Sequence, residues 1–177
     1  MKTSVYVGTS LDGFIAREDG DIGWLVKFEN QEVHDSYKEF ISRIDAMVIG
    51  RGTFEKVLTF PTWPYEKKVF VLSTSLKQIP DTLKGKATLL SMKPAELLSY
   101  LSGEGFSNIY IDGGKVIQSF LKEDLIDELI ITKVPVLIGT GIPLFGYLDN
   151  DLPFEHIRTD TYSNGLVKSH HERKRNY

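Results

Sequence analysis

The stretches that decide the fold are Val48-Ile49-Gly50-Arg51-Gly52-Thr53-Phe54-Glu55 and Tyr110-Ile111-Asp112-Gly113-Gly114-Lys115-Val116. In each, an apolar run typical of a buried strand ends at glycine, and a helical pattern with a cationic residue follows. Glycine lets an anion approach the backbone closely, and a new helix offers unpaired N–H groups and a positive dipole end. Two such junctions in one small protein predict a ligand with separated phosphates, such as a dinucleotide.

Length and composition favour a compact enzyme. The 177 residues, 41% of them hydrophobic, fit a single domain spanning residues 1–177 with a sizeable core. The formal net charge of −3 argues against nucleic acid or a membrane surface as the partner, so any anion site must be local. The sequence contains no cysteine, which excludes thiolate metal sites, and its four histidines lack the spacing of a zinc motif. We therefore predict no metal.

The amino terminus lacks the pattern of an export signal. One lysine precedes a short apolar run, and Asp12 follows too early for a signal-peptide core. No apolar run approaches the roughly 18 residues that a membrane helix needs. We expect a cytoplasmic protein.

Strand-like and helix-like segments alternate along the chain without a linker-like break. We predict strands at residues 4–9, 45–50, 68–72, 87–91, 107–111 and 128–134. Helices are predicted at residues 31–43, 53–58 and 114–121, and from Pro94 onward. Residues 11–25 are dense in Asp and Gly and are predicted to form a loop.

The end of the chain has the pattern of a hairpin. Residues 154–162 and 166–173 flank Ser163-Asn164-Gly165, and Asn-Gly is the strongest short hairpin signal. Residues 168–175 are basic and are interpreted as a solvated tail. Parallel crossovers followed by an antiparallel hairpin imply a mixed, mostly parallel α/β sheet of about eight strands, flanked by about four helices.

The order and spacing of the motifs resemble the dihydrofolate reductase fold and, within it, the reductase domain of bacterial riboflavin biosynthesis. The motifs are Thr9-Ser10-Leu11-Asp12-Gly13-Phe14-Ile15, the two glycine junctions, and residues 135–145 with the Asn164-Gly165 hairpin. The resemblance covers nearly the whole chain and implies a dihydrofolate-reductase-like fold. The chain looks like a small stand-alone bacterial member, since it lacks the deaminase half with zinc ligands that riboflavin enzymes often carry.

The resemblance implies NADPH as the cofactor. Arg51 would contact the adenosine 2′-phosphate, because a guanidinium recognises phosphate through planar, always-charged hydrogen bonds. Gly50 and Thr53 belong to the same junction, and Thr53 offers a hydroxyl donor. The resemblance further implies contacts from Ser73 and Thr74 to the adenosine phosphate, from Gly113, Gly114, Lys115 and Val116 to the pyrophosphate, and from Gly8 and Ile15 to the nicotinamide.

Each of these assignments has a structural alternative. Arg51 can be a solvated residue at a helix start, and Gly113-Gly114 can be a simple turn. Ser73-Thr74-Ser75 can be part of a polar loop. The order of the motifs, rather than any single one, favours dinucleotide binding.

Two carboxylates are candidates for the proton donor of a reductase. Hydride transfer belongs to the cofactor, so the protein must orient the substrate and manage a proton. True dihydrofolate reductases carry a carboxylate on the first helix, and Asp35 is near that position; alternatively it is a solvated helix residue. Riboflavin-type reductases carry an acidic residue just before the paired glycines, which here is Asp112. Asp112 ends a buried strand, where desolvation can raise its pKa toward that of a useful acid, or it accepts backbone hydrogen bonds in the turn.

Two residues are predicted to contact the substrate. Trp24, with the leucine that follows, partly resembles the aromatic end of the dihydrofolate reductase active-site loop. Thr132 matches a strand threonine that reaches the substrate cavity in this fold, or it is only a strand residue. We predict an NADPH-dependent reductase of a carbonyl or imine in a small cyclic or sugar-like metabolite. The alternatives are a true dihydrofolate or pterin reductase, and a dinucleotide-binding sensor without turnover.

The sequence and the resemblance also lead us to expect a homodimer. Riboflavin-type reductases pair through their sheets. Residues 142–148 place large apolar side chains in a predicted surface connection, and exposed apolar clusters are often interfaces. The alternative is that this segment folds back onto its own sheet.

Overall fold

Ten strands and five α-helices make up the part of the chain that the computed structural model describes, Met1–Arg175; residues 176 and 177 of the predicted domain lie outside it. The strands are β1 (Lys2–Thr9), β2 (Phe14–Ala16), β3 (Ala46–Gly50), β4 (Lys68–Leu72), β5 (Ala87–Leu90), β6 (Asn108–Asp112), β7 (Glu128–Lys133), β8 (Ile142–Pro143), β9 (Phe154–Thr161) and β10 (Val167–Arg173). The helices are α1 (Gly23–Val26), α2 (Gln31–Ser42), α3 (Arg51–Val57), α4 (Pro94–Gly103) and α5 (Gly114–Lys122), with a 3-10 helix at Asp81–Leu83.

Eight of the strands form one mixed sheet in the order β5-β4-β3-β6-β1-β7-β10-β9. The first six in this order run parallel, and β10 is antiparallel to both of its neighbours. The central strand β3 is buried along its whole length, as expected where helices cover both faces of a parallel sheet. The predicted fold, a mostly parallel eight-stranded sheet that ends in an antiparallel hairpin, is confirmed.

Apolar side chains form a separate core on each face of the sheet. Leu97 of α4 and Phe120 of α5 are fully buried in one core, together with alternate residues of the central strands. Phe40 of α2 and Phe54 of α3 are buried in the other. The position of a residue along its strand determines which of the two cores it enters, because successive side chains of a strand point to opposite faces of the sheet. Within Met1–Arg175, no helix combines the length and the apolar character needed to cross a membrane.

Two short elements lie in the segment that was predicted as a loop, so that prediction is wrong at both. β2 pairs with β8 in a two-stranded antiparallel ribbon, and its partner lies far away in sequence. α1 is a single turn of four residues, and Ile22 before it makes no side-chain capping hydrogen bond. Neither element is long enough to show a hydrophobic period, and α1 lacks a helix start signal.

The β9–β10 hairpin is confirmed, with a turn longer than two residues. The Gly165 N–H donates to the Tyr162 carbonyl at 3.0 Å, and the Tyr162 N–H donates to the Leu166 carbonyl. Gly165 has a φ of +87°, whereas Asn164 keeps a negative φ. This arrangement fits a type I turn closed by a left-handed glycine. Gly165 is therefore the residue whose conformation reverses the chain.

Candidate active site

Most of the predicted site residues lie at one edge of the sheet, where the parallel strands end. β3 ends at Gly50 and β6 ends at Asp112, and these strands are neighbours. On the next strands along, Gly8 of β1 lies opposite Thr132 of β7. Ligands of open α/β sheets bind outside the carboxyl ends of the strands. This edge is therefore the candidate active site.

The two glycine junctions contact each other. Gly113 has a φ of +95°, and a Cβ atom there would lie 2.5 Å from Thr53 Oγ1 and 3.7 Å from the Gly50 nitrogen. Only glycine satisfies both the backbone angle and the space. The starts of α3 and α5 consequently form one continuous surface of helix N-termini, rather than two separate anion-binding sites.

Arg51 lies on this surface within an exposed polar cluster. Its Nη1 donates to Ser75 Oγ at 3.0 Å, and its Nε lies 3.6 Å from the Glu55 carboxylate. Ser73 Oγ accepts hydrogen bonds from the backbone N–H groups of Ser75 and Leu76. The guanidinium and the serine turn after β4 thus face the same solvent, as a phosphate site requires. Sequence reasoning missed Ser75, although it lies only two residues beyond Ser73.

Two of the predicted cofactor glycines are covered by neighbouring side chains. A Cβ on Gly114 would lie 2.9 Å from Ile142 Cγ2 and 3.2 Å from Ile15 Cδ1, because the β2–β8 ribbon packs on the start of α5. A Cβ on Gly8 would lie 2.9 Å from the side chain of Leu25 in α1. These glycines permit close packing of the segments that border the site.

The next two residues of α5 point in different directions. Val116 is buried, and its Cγ2 lies 2.9 Å from where a Cβ on Gly50 would be. Lys115 is exposed at the helix start. Thr74, between the two serines of the turn after β4, is also exposed. Lys115 and Thr74 can therefore reach a ligand with their side chains, whereas Val116 can offer only its backbone N–H.

Asp112 is a half-buried carboxyl at the centre of the candidate site. Its Oδ1 accepts a hydrogen bond from the Gly113 N–H at 2.8 Å. Burial raises the pKa of Asp112 from 3.8 to about 6, although that hydrogen bond acts in the opposite direction. The two interpretations offered by the sequence are therefore compatible, since the side chain braces the turn and takes up a proton at a pH much closer to neutral than an ordinary aspartate does.

Three tyrosines lie close enough to this carboxyl for its charge to affect their pKa values. Burial and the charge of Asp112 raise the pKa of Tyr37 to about 12, and they also raise the pKa values of Tyr65 and Tyr110. The Tyr110 hydroxyl donates to the Tyr6 carbonyl at 2.7 Å. The sequence does not indicate these tyrosines as site residues. Tyr37 has the spacing of a core residue, and Tyr65 lies in a loop without periodicity.

The aromatic side chains of Tyr65, Trp63 and Phe54 pack against one another. The rings of Trp63 and Tyr65 lie 5.2 Å apart, and Trp63 also packs edge-on against Phe54 of α3. The Trp63 indole N–H is buried, and it has no hydrogen-bond partner in the described part of the chain. The loop after α3 thus brings apolar rings and one unused donor to the side of the site that Asp112 faces.

The structure places the other predicted residues at different depths. Asp35 is exposed on α2, and its carboxylate accepts from the Gln31 side chain at 2.8 Å. Ser36 instead points inward, with its Oγ 2.9 Å from the Tyr6 hydroxyl. Trp24 is buried in a small third core, and its indole N–H has no partner among the described residues. Thr132 is half-buried.

The opposite edge of the sheet carries an ion-pair network. The buried Glu128 carboxylate lies 2.6 Å from Arg43, 3.3 Å from Lys2 and 2.8 Å from His170 Nε2. Glu128, His170 and Glu172 are close enough to hold a metal ion. Two cationic side chains already neutralise Glu128, however, and the network ties α2 and β10 to the first strand. This arrangement favours a structural role.

The strand order, the terminal hairpin and the site at the carboxyl edge define a dihydrofolate-reductase-like α/β protein. Dihydrofolate reductase from Enterococcus faecalis, complexed with NADP(H), superposes with a TM-score of 0.66 at 16% identity. The superposition covers 98% of this chain and 97% of the reductase. At this identity the likeness concerns the fold alone.

The sequence profile described as the RibD C-terminal domain matches residues 4–168, and the chain belongs to that family. The uncharacterized protein YwjB of Bacillus subtilis (strain 168) is 42% identical over 154 residues, which cover 85% of this chain and 86% of YwjB. A candidate riboflavin biosynthesis protein from Shewanella sp. PV-4 superposes with a TM-score of 0.93 at 41% identity. That superposition covers 99% of this chain and 100% of the Shewanella protein.

Proposed function

We propose that this protein is an NADPH-dependent reductase of a carbonyl or imine in a small cyclic or sugar-like metabolite. Its membership of the RibD C-terminal domain family supports an oxidoreductase of the pyrimidine-reductase type. The observation that carries the proposal is Asp112, a half-buried carboxyl with a pKa of about 6 at the junction of two helix N-termini. Strongly shifted pKa values of this kind cluster at functional sites.

The residues at the carboxyl edge fit a dinucleotide. Arg51 and the Ser73–Ser75 turn would hold the 2′-phosphate, and the joined starts of α3 and α5 would hold the pyrophosphate on backbone N–H groups. A Cβ on Gly52 would meet nothing within 4 Å, so this surface is open to an incoming ligand. When bound, NADPH supplies the hydride for the reduction.

The role of the protein in the chemistry is to deliver a proton. Hydride adds to the carbon of a C=N or C=O bond, so the nitrogen or oxygen must take up a proton. The Asp112 carboxyl can donate it, since an acid with a pKa near the working pH is the most effective donor. The Gly113 N–H then stabilises the carboxylate that remains.

The arrangement of α2 supports this proposal over a true dihydrofolate reductase. That alternative needs a carboxylate on the first long helix that faces the substrate, and Asp35 is exposed instead. Ser36 and Tyr37 occupy the inward positions of the same turn. We therefore propose Asp112, rather than Asp35, as the proton donor.

The test is turnover and cofactor binding measured in parallel. Cyclic imines, carbonyl sugars and pterins are screened by the loss of NADPH absorbance, and NADPH affinity is measured by fluorescence. With a substrate found, Asp112→Asn should lower kcat by about 10²–10⁴-fold and leave NADPH affinity intact. Asp35→Asn is the matched control and should keep its activity. Failure of the unmutated protein to bind NADPH would refute the proposal, and full activity of Asp112→Asn would refute its mechanism.

A further inference from the structure

Lys168 is a buried cation near the start of β10. It is only 7% exposed, so its assignment to a solvated tail is wrong. On β10 it lies directly opposite Thr132, which in turn lies opposite Gly8 of β1. Residues paired in this way project their side chains from the same face of a sheet. Lys168 therefore shares its face with Gly8 and Thr132.

The Lys168 ammonium lies among hydroxyl groups. Its Nζ donates to Ser36 Oγ at 2.8 Å and lies 5.5 Å from the centroid of the Tyr162 ring. Burial alone would lower the pKa of Lys168, but the side chains of Tyr162 and Asp160 raise it above its usual value. The ammonium thus remains charged although it is buried.

The counterion of Lys168 is shared and partly solvated. The Asp160 carboxylate lies 3.2 Å from Lys168 Nζ, and it also lies 3.2 Å from Arg158 Nε. The Asp160 side chain is 37% exposed, so water and Arg158 can satisfy it without Lys168. An incoming anion can therefore take the place of Asp160 beside Lys168 and leave no buried carboxylate unpaired.

We propose that Lys168 determines substrate specificity by binding a carboxylate or phosphate group at the end of the substrate remote from Asp112. This rests on the proposed reductase function. Two strands, β1 and β7, separate Asp112 on β6 from Lys168 on β10. Three strand spacings are roughly 14 Å, the span of a fused ring with a short acidic substituent once the side chains reach inward. Ser36 and Tyr6 place further hydroxyl donors beside that group.

The test compares matched charged and neutral probes. Pterin-6-carboxylate is compared with pterin, and ribose 5-phosphate with ribose, which separates a carboxylate preference from a phosphate preference. We expect the unmutated protein to bind the charged member of at least one pair about tenfold or more tightly, as a charge-assisted contact implies. Lys168→Met should abolish that ratio. Lys174→Met removes an exposed cation just after the same strand, away from Asp160, and should preserve it.

The variant Asp160→Asn distinguishes anion binding by Lys168 from a purely structural Lys168–Asp160 ion pair. Removing the competing carboxylate should tighten binding of the charged probe, whereas a structural pair would only lose stability. Equal affinities within both pairs, or an unchanged ratio in Lys168→Met, would overturn the inference. Cofactor affinity is measured separately, so a protein that discriminates anions without binding NADPH would refute the proposed function alone.

Discussion

Asp112 shows at the level of one residue how the proposed function and the stability of the protein oppose each other. Its pKa in the folded protein is about 6, against 3.8 for an ordinary aspartate. Between these two pH values the folded state binds more protons than the unfolded state, so the free energy of unfolding falls as the pH rises. Above about pH 6 the carboxylate is ionised in the folded protein, and the full free-energy cost of its desolvation persists. The carboxyl that we propose as the proton donor therefore destabilises the folded protein at neutral pH.

Asp112→Asn should accordingly stabilise the protein at pH 8. The amide keeps an acceptor for the Gly113 N–H and removes the buried charge. The pKa difference corresponds to a gain of up to about 3 kcal/mol in the free energy of unfolding, which should vanish below about pH 4. Urea unfolding at pH 8 and below about pH 4 measures this gain, with Asp35→Asn as the control at an exposed carboxylate. A variant that is less stable than the unmutated protein at pH 8 would contradict the assigned burial.

Arg51→Ala should remove a preference for NADPH over NADH. The guanidinium faces solvent beside Ser75, where a charge-assisted contact to the 2′-phosphate is worth about one to two decades of affinity. NADH has no such phosphate, so its affinity should hardly change. Glu55→Gln frees Arg51 from its carboxylate neighbour and should retain the preference. Equal affinities for the two cofactors in the unmutated protein would reject the role of Arg51.

At the scale of elements, two glycines that look alike in the sequence have opposite roles. Gly114→Ala should destabilise the protein by about 1–3 kcal/mol, because its Cβ would collide with Ile142 of the β2–β8 ribbon. Gly52→Ala meets no atom within 4 Å and should stabilise α3 by a few tenths to about 1 kcal/mol. Thermal or urea unfolding compares the pair. The same sign of change in both variants would show that ribbon packing does not distinguish them.

The sequence predicts the elements that carry a long pattern. Helices α2 and α5 follow from their apolar spacing, and the terminal hairpin follows from Asn164-Gly165. It does not predict β2 and β8, which are too short for periodicity and pair across most of the chain. Nor does it predict that Gly113 touches Thr53 or that Lys168 is buried, since both depend on strand order and register. A single junction is therefore visible in the sequence, whereas contacts between residues of distant strands in the candidate site are not.

At the scale of the whole molecule, the segment after β8 divides between the core and the surface. Leu144 is buried, and Leu148 packs against the core beneath α5. Phe145 and Tyr147, which lie between these two leucines, are 49% and 74% exposed. The segment thus folds back onto its own sheet and still presents two large aromatic side chains. Exposed aromatic side chains of this kind are a common feature of interfaces.

We propose that Phe145 and Tyr147 lie in the interface of a homodimer, because a two-fold contact buries the same apolar patch on both subunits. Light scattering at micromolar concentration should then give twice the chain mass of 20.1 kDa. Phe145→Asp should shift the mass to that of the monomer, since it would place a charge in a desolvated contact. Ile157→Asp alters a comparably exposed side chain on β9, 48% exposed, and should leave the dimer intact. A monomeric mass for the unmutated protein would refute the dimer, and dissociation by Ile157→Asp alone would move the interface to the hairpin edge.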